Sequence, residues 1–321
     1  MKKNYLLLIV LVALTSAIKA QAQEPYIAFN DENKTATFYY DTQKAERNGL
    51  DLGTSLVDFN VMTIEFDASF ADCTSITNTS FWFMGCSKMS EIKGLQYLNT
   101  ENVTEMTDMF NNCSKLTSLD LSTFKTDKLE NMSGMFWGCY KLESLNMSSF
   151  NTANVTNMMG VFAQCPLLAN LDITNFNTEK VTCMNFMFNG CEKLETLDLS
   201  SFNTANVSEM FSMFAGCSNL TTIYVGDGWS MEKALGEGGM TFNMFMGCDK
   251  RAGGSAFNSD ITDGTGASTA GYLTKKDDAN AIQRLTATSR TATAIYTLSG
   301  QRLTTPHKGI NIINGKKVIV K

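Results

Sequence analysis

The chain has 321 residues, with 26 Lys and Arg against 32 Asp and Glu, only 3 Pro and 1 His, but 19 Met, 21 Phe and 9 Cys. That length has room for about two ordinary domains, and an acidic balance of −6 repels phosphate backbones, which argues against nucleic acid as a partner. The single histidine, His307 beside Pro306, leaves a hydrolytic triad or a Cys nucleophile without its usual base.

In chain order, Met1-Lys2-Lys3 is followed by the apolar run YLLLIVLVALTSAI and by Ala20-Gln21-Ala22. A basic start, a short apolar core and a small-x-small site predict a secretory signal peptide over 1–22. The run falls short of the about 20 residues a membrane span needs, so no transmembrane span is expected after signal removal. No Cys follows Ala22 to carry a lipid. The expected location is outside the cell, either secreted or at the cell surface or outer membrane. Without residues 1–22 the chain keeps 23 basic and 32 acidic residues, or −9. Residues 275–321 hold nine Lys or Arg and two acids, or +7, and residues 23–274 hold 14 basic and 30 acidic residues, or −16. The basic tail is therefore a compositional unit of its own.

Residues 23–72 read as an N-terminal β cap. YIAFNDENKTATFYYD alternates about a polar turn, as a β-hairpin does. MTIEFDASFADC follows, and its Phe70-x-x-Cys73 resembles a degenerate first repeat. From there the chain is periodic. Cys86, Cys113, Cys139, Cys165, Cys191 and Cys217 are spaced by 27 and then four times by 26 residues, inside the frame C-x-x-L-x-x-L-D-L-S-S-F-N-T-x-x-V-T-x-M-x-x-M-F-x-G. A fixed period of this kind specifies a solenoid, because one unit cannot bury its apolar side and stacking closes the core between neighbours. The fold class predicted is a leucine-rich-repeat right-handed coil with short parallel β-strands and short helical or 3₁₀ turns, over 73–274 including a C-terminal cap.

Within a unit, Leu142, Leu145 and Met147 are expected inward, stacked between Leu116/Leu119/Leu121 and Leu168/Leu171/Ile173, with a strand at each Leu-x-Leu step. Strands in register about 4.8 Å apart would give seven coils a core roughly 30–35 Å long. Val-x-x-Met-x-x-Met-Phe suits a tight helical turn on the opposite side, and sets such as Met132/Met135/Phe136 and Met210/Met213/Phe214 read as core filler rather than metal ligands. Asn151, Asn177 and Asn203, with Thr126, Thr152, Thr178 and Thr204, are expected to bond backbone where the chain leaves its strand. The six column cysteines point the same way, which suits a buried thiol ladder better than disulfides. Zinc has no C-x-x-C pair to bind it. Cys73 and Cys183 lie off the ladder and are expected to be the most exposed. After Cys217 the strand TTIYVGDGW still fits, an insertion delays Met244-Phe245 and Cys248, and residues 249–274 read as a cap coil ending in GYLT.

No catalytic constellation emerges. GEGG at 236–239 lacks the Lys-Ser and helix of a phosphate loop, and the acids occupy repeat positions instead of forming a distinctive pair in an irregular loop. No enzyme activity, cofactor or metal is expected. What the repeat does offer is a strip of outward strand positions: Ser118/Asp120, Ser144/Asn146, Asn170/Asp172, Thr196/Asp198 and Thr222/Tyr224. Asp172 and Asp198 would oppose each other on neighbouring strands, which is unfavourable unless solvated or bridged by a cation. The strip is the candidate partner-binding face of a monomer whose partner is a protein or glycan on host or neighbouring cells. Other readings are a structural envelope spacer without a specific ligand, and a glycan- or calcium-binding surface protein.

The unit F-N-T-x-x-V-T-x-M-x-x-M-F-x-G-C-x-x-L resembles the BspA-like leucine-rich-repeat surface proteins of Bacteroidetes over about residues 60–274. FYYDTQKAERNG also looks like the segment preceding such repeats. The resemblance implies surface exposure and adhesion, and it brings no catalytic residues. Separately, IYTLSGQRLTTPHKGINIINGKKVIVK (295–321) is similar to the C-terminal sorting domain of type IX secretion cargo. The matching points are Gly300 before Gln-Arg, Gly309-Ile-x-Ile, and Gly315-Lys-Lys before a final β run. This likeness implies that the basic β-rich tail, 275–321, is an export address.

Overall fold

The computed structural model describes residues 22–32, 34–53, 60–250, 258 and 260–276, with the tail strands at 295–296, 302–303, 309–313 and 316–320. Residues 1–21 of the expected signal peptide, and Gly300, His307 and Gly315 of the tail, lie outside the described residues. The chain divides into two compact units, Met1–Lys275 and Lys276–Lys321.

Alternation in the N-terminal segment produces the hairpin β1 (Glu24–Asn30) and β2 (Thr35–Asp41), with Ile27 opposite Phe38. β3 (Leu50–Asp51) adds to the outer edge of β1, while β2 pairs in parallel with β4 (Thr63–Phe66) and β4 with β5 (Glu91–Lys93). The hairpin thus ends the parallel stack with an antiparallel edge and covers its apolar end. A polar cluster ties this cap together: the Tyr26 hydroxyl donates to Asp41 at 2.7 Å, and the Arg47 guanidinium donates to both. Burial, and then the Asp41 contact, push the Tyr26 phenol up to about 12. Burial opposes ionisation of Asp41, but hydrogen bonds from Arg47 and Tyr26 outweigh it and hold its carboxyl below the usual range.

Each repeat then makes one coil. The Val-x-x-Met-x-x-Met-Phe segment forms a run of tight turns in the full coils, and the degenerate first unit carries a 3₁₀ turn, Ala68–Asp72. In these turns every second amide points to the neighbouring coil. The Phe110, Phe136, Phe162 and Phe188 N–H groups donate to Met135, Val161, Met187 and Met213 carbonyls at 2.9, 3.0, 3.0 and 2.9 Å. The amides between them close turns within the coil, such as Cys139 N–H to Phe136 O at 3.1 Å. Bridges run unbroken from Asn78 through Glu105, Asn131, Asn157, Cys183 and Glu209 to Met240, marking seven coils. Alternating the direction of successive amides requires left-handed residues at two positions per coil. Gly134 and Gly160 fill one, and Gly138, Gly190 and Gly216 the other, all at positive φ. The invariant Phe of the motif stacks along the axis, with Phe110, Phe136, Phe162, Phe188, Phe214 and Phe245 ring centroids 5.4–6.0 Å apart.

The Thr column ties coils together where the chain leaves its strands. Thr152 donates to the Asn177 carbonyl at 2.8 Å and accepts from the Asn177 N–H at 2.8 Å, and Thr126 and Thr178 do the same to Asn151 and Asn203. The Asn partners act mainly within their own turn: Asn151, Asn177 and Asn203 accept from the amide two residues on.

The strand side departs from the expected continuous column. β6 (Ser118–Asp120) pairs in parallel with β7 (Ser144–Asn146), and β9 (Thr222–Val225) pairs in parallel with β8 (Thr196–Leu199) on one side and β10 (Thr274–Lys275) on the other, giving two separate sheets. The strand expected around Leu171 is missing: residues 170–172 carry no pairing. In this coil Pro166 follows the ladder Cys, and its ring fixes φ. Lys193 N–H bonds Pro166 O at 3.1 Å, whereas Glu143 and Thr221 amides bond Thr117 and Glu195 carbonyls at the threshold of their strands. The neighbouring coil is met before the strand position, so the pairing does not propagate. Leu145 and Leu171 are only partly buried as a result.

The ladder cysteines are free, buried thiols. Cys113, Cys139, Cys165, Cys191 and Cys217 each donate S–H to the motif Phe carbonyl of the preceding coil at 3.0–3.2 Å, and Cys248 joins the ladder through Phe214. Burial pushes the Cys139 and Cys191 thiols up to about 12. Exposure of Cys73 was expected and is overturned: it is 0 % exposed, because Phe70-x-x-Cys73 turns into the cap core as the ladder turns do. Cys183 is 9 % exposed, at the rim of the turn ladder between Asn157 and Glu209.

At the far end the insertion holds a short helix α1 (Glu232–Leu235), and Tyr272 stands edge-on over Phe245 at 5.3 Å with its hydroxyl bonded to Asn258. In the second unit, β11 (Ile295–Tyr296), β12 (Arg302–Leu303), β13 (Gly309–Ile313) and β14 (Lys316–Val320) form an antiparallel sheet in the order β12-β11-β13-β14.

Thiol chemistry tests the ladder. The native protein should resist maleimide or disulfide reagents, Cys183 reacting first, and release all nine thiols only on unfolding. Mass-mapped disulfides between successive ladder cysteines would contradict it. Cys165→Ser places a hydroxyl in the core and should cost about 1–3 kcal/mol in denaturant unfolding. Cys165→Ala should cost less, since the Phe136 carbonyl keeps its Cys139 N–H bond.

Candidate functional site

Outward strand positions are held by the alternation of each short strand: Leu119 and Leu197 point in, so Ser118, Asp120, Thr196 and Asp198 point out. Ser118, Asp120, Ser144 and Asn146 form one group. Pairing sets Ser118 beside Ser144 and Asp120 beside Asn146, whose amide donates to the carboxylate at 2.9 Å. Thr196, Asp198, Thr222 and Tyr224 form a second, with Asp198 beside Tyr224. β10 adds beside β9 and sets Thr274 next to Tyr224. Asn170 and Asp172 are exposed on the segment between the groups, which belongs to no strand. The ten expected residues are therefore two four-residue patches and an irregular link. Direct opposition of Asp172 and Asp198 on paired strands does not occur, because Asp172 is not on a strand.

The acids are committed to their own turns. Asp120 accepts from the Ser122 amide at 3.0 Å, Asp172 from the Thr174 amide and hydroxyl at 3.1 and 2.7 Å, and Asp198 from the Ser200 amide at 3.0 Å. The Ser122 amide and hydroxyl, and then Asn146, hold the Asp120 carboxyl below the usual carboxylate range. Among the described residues no group of His, Cys, Asp or Glu is arranged to hold a metal ion. Two clefts flank the first patch: one of about 360 Å³ between β5 and β6, and one of about 250 Å³ between β7 and the Asp172 turn.

The turn side carries a feature of its own, which the outward strand positions do not include. Trp137, Phe186, Phe211 and Phe242 form a surface row with ring centroids 5.8, 4.7 and 4.5 Å apart. Gly160 permits it, since a Cβ there would lie 2.4 Å from the Trp137 ring. The signal was present in the sequence as aromatics at the variable positions of M-x-x-M-F-x-G, where most of the other residues are polar or small.

Coiled strands, a stacked core and polar outward positions define a leucine-rich-repeat solenoid. The sequence family described as "Mycoplasma protein of unknown function, DUF285" matches residues 57–165 and 138–263, together well over half of the chain. The chain belongs to that family. Among solved structures it is similar to a leucine-rich repeat protein from Bacteroides ovatus ATCC 8483, determined at 1.19 Å resolution. That likeness is 15 % in sequence identity with a TM-score of 0.25, covering 72 % of this chain and 81 % of the other. No curated protein matches the chain. Among the described residues no helix is long and apolar enough to cross a membrane.

The carboxylate geometry yields a direct test. With each strip aspartate bound to its own turn, calorimetric titration of the protein with calcium should give no binding heat at millimolar concentration. A saturable exotherm lost in Asp172→Asn or Asp198→Asn would show that the strip does bind the ion.

Proposed function

We propose that this protein is an exported, cell-surface binding protein of BspA-like character, which uses the outward strand side of its solenoid to hold proteins on host or neighbouring cells. The observation that carries this reading is the pair of polar patches, Ser118/Asp120/Ser144/Asn146 and Thr196/Asp198/Thr222/Tyr224, repeated at coil spacing on a rigid scaffold. Rigid repeated positions suit a partner that itself presents an extended surface. The sequence of residues 1–22 supports export, and the single histidine of the chain, His307, supports a binding role rather than catalysis. The tail supports delivery to the surface by its likeness to a sorting domain.

Pull-down with the purified chain lacking residues 1–22, against host matrix proteins and cell-wall glycans, tests the binding role. The expected result is capture of a protein at micromolar concentration, weakened when Thr196 and Asp198 are both changed to Ala. Capture of nothing in either set would leave a spacer role in its place.

Export is tested separately. Deleting residues 280–321 should leave melting of the repeat unit nearly unchanged, because coils contact only their neighbours, while the truncated protein is retained in the periplasm of a native-like host. Equal surface display of both forms would show that the tail is not an address.

A further inference from the structure

The one repeat spacing of 27 residues, between Cys86 and Cys113, has a structural consequence. The added residue is absorbed immediately after β5, where Gly94 takes φ +66 and caps a 3₁₀ turn, Leu95–Tyr97, that the 26-residue coils lack. Only glycine fits there, since a Cβ would lie 2.2 Å from the Phe66 carbonyl oxygen. On the turn side the same two coils stay in full register, with Phe81, Phe83 and Gly85 amides bonded to Thr107, Met109 and Asn111 carbonyls. On the strand side they do not: β5 pairs only with β4, and β6 only with β7. The coils therefore open on one side like a wedge, around the cleft of about 360 Å³.

The walls of this cleft are strand edges. In a parallel ladder alternate residues bond to opposite sides. The Thr117 carbonyl and the Leu121 amide bond to the coil that carries β7, so the backbone groups of Ser118 and Asp120 face the cleft, where no strand pairs with them. Ile92, Leu95, Leu116 and Leu119 contribute apolar surface to the lining, and Asp120 stands at its rim. Main-chain donors and acceptors at strand spacing are complementary to another extended chain, whose alternate side chains would meet the apolar lining and the solvent.

We propose that the cleft between β5 and β6 accepts an extended peptide segment as an added strand, with a Lys or Arg side chain of that segment set against Asp120. This rests on the reading of the strand side as the binding face and names the partner chemistry for its first patch. Glu91, which also lines the cleft, is paired in charge with Lys93 at 3.3 Å. Asp120 takes the neutral Ser122 and Asn146 amides on its Oδ1 and has no ion pair among the described residues, so its charge is the one an incoming cation would meet.

The test uses a random-peptide phage library panned against the chain lacking residues 1–22. Enriched clones should alternate apolar and polar residues and carry Lys or Arg, and their synthetic peptides should protect the Ser118 and Asp120 amides from hydrogen exchange. Ser118→Pro, which removes a cleft-facing donor while leaving the β7 side bonded, should weaken those peptides about tenfold, the loss of roughly one hydrogen bond. Asp120→Asn keeps an acceptor for the Ser122 amide and should weaken only cation-bearing peptides and flatten their salt dependence. If Ser118→Pro unfolds, the exchange pattern and Asp120→Asn still decide. No enrichment, unchanged affinity in both variants, or protection confined to other segments each overturns the proposal. A natural partner from the pull-down that binds Ser118→Pro and Asp120→Asn unchanged sinks the cleft and spares the wider strip. An empty pull-down alongside peptides that protect Ser118 and Asp120 does the reverse.

Discussion

Everything in the repeat unit hangs on the backbone ladder of the turn side. At each coil, amides two residues apart donate to the next coil, while the amides between them close turns in their own. This satisfies the buried main chain without helix and fixes how the motif must look. Left-handed positions fall at the two sites where glycine recurs, and the motif Phe and Met between them are driven inward. Stacking of Phe rings and S–H bonds to Phe carbonyls then follow from register alone. Because the same carbonyl accepts a Cys N–H from its own coil and a Cys S–H from the next, each thiol adds a second bond at a shared acceptor. A small, weakly polar side chain is suited to that position, and burial keeps it protonated.

A continuous ladder on one side leaves the other side free to vary. Coils that are pinned at the turns tolerate an extra residue at Gly94 or a proline at 166 on the strand side, because the energetic tie lies elsewhere. The outcome is a strand column divided into sheets, with clefts at the divisions. Binding surfaces are commonly built where a rigid scaffold permits local irregularity, and here the irregularity coincides with the outward polar positions. The aromatic row of Trp137, Phe186, Phe211 and Phe242 occupies the rigid side instead, and part of its surface is spent on ring-to-ring contact.

The ends solve a different problem. A stack of coils exposes an apolar cross-section at both termini, and unpaired strand edges invite further pairing. At the start, the hairpin covers Phe66 and Phe70 with Phe38 and ties its own loop down through Tyr26, Asp41 and Arg47. At the other end, Tyr272 covers Phe245. Acid should loosen this first cap. The Asp41 carboxyl is held below its usual range, so its contribution is present above the unfolded value and is lost as pH falls through the folded one.

Periodicity made the solenoid, the inward Leu, Met and Phe positions and the buried thiols legible from the sequence, because a residue type repeated every 26 positions has to occupy one place in every coil, and two-residue alternation did the same for the hairpin. The outward strip was legible as composition but not as geometry. Whether Ser118 and Thr196 share one surface depends on how the coil that carries Pro166 meets its neighbours, and whether the outer edge of β6 is covered depends on the coil that carries Gly94; both are properties of packing between coils rather than of any single repeat. Cys73 was misjudged for the same reason: its distance from the column said nothing of the cap core into which Phe70 turns it. Local pattern set what each coil contains, and contact between coils decided which strands pair and which edges stay open.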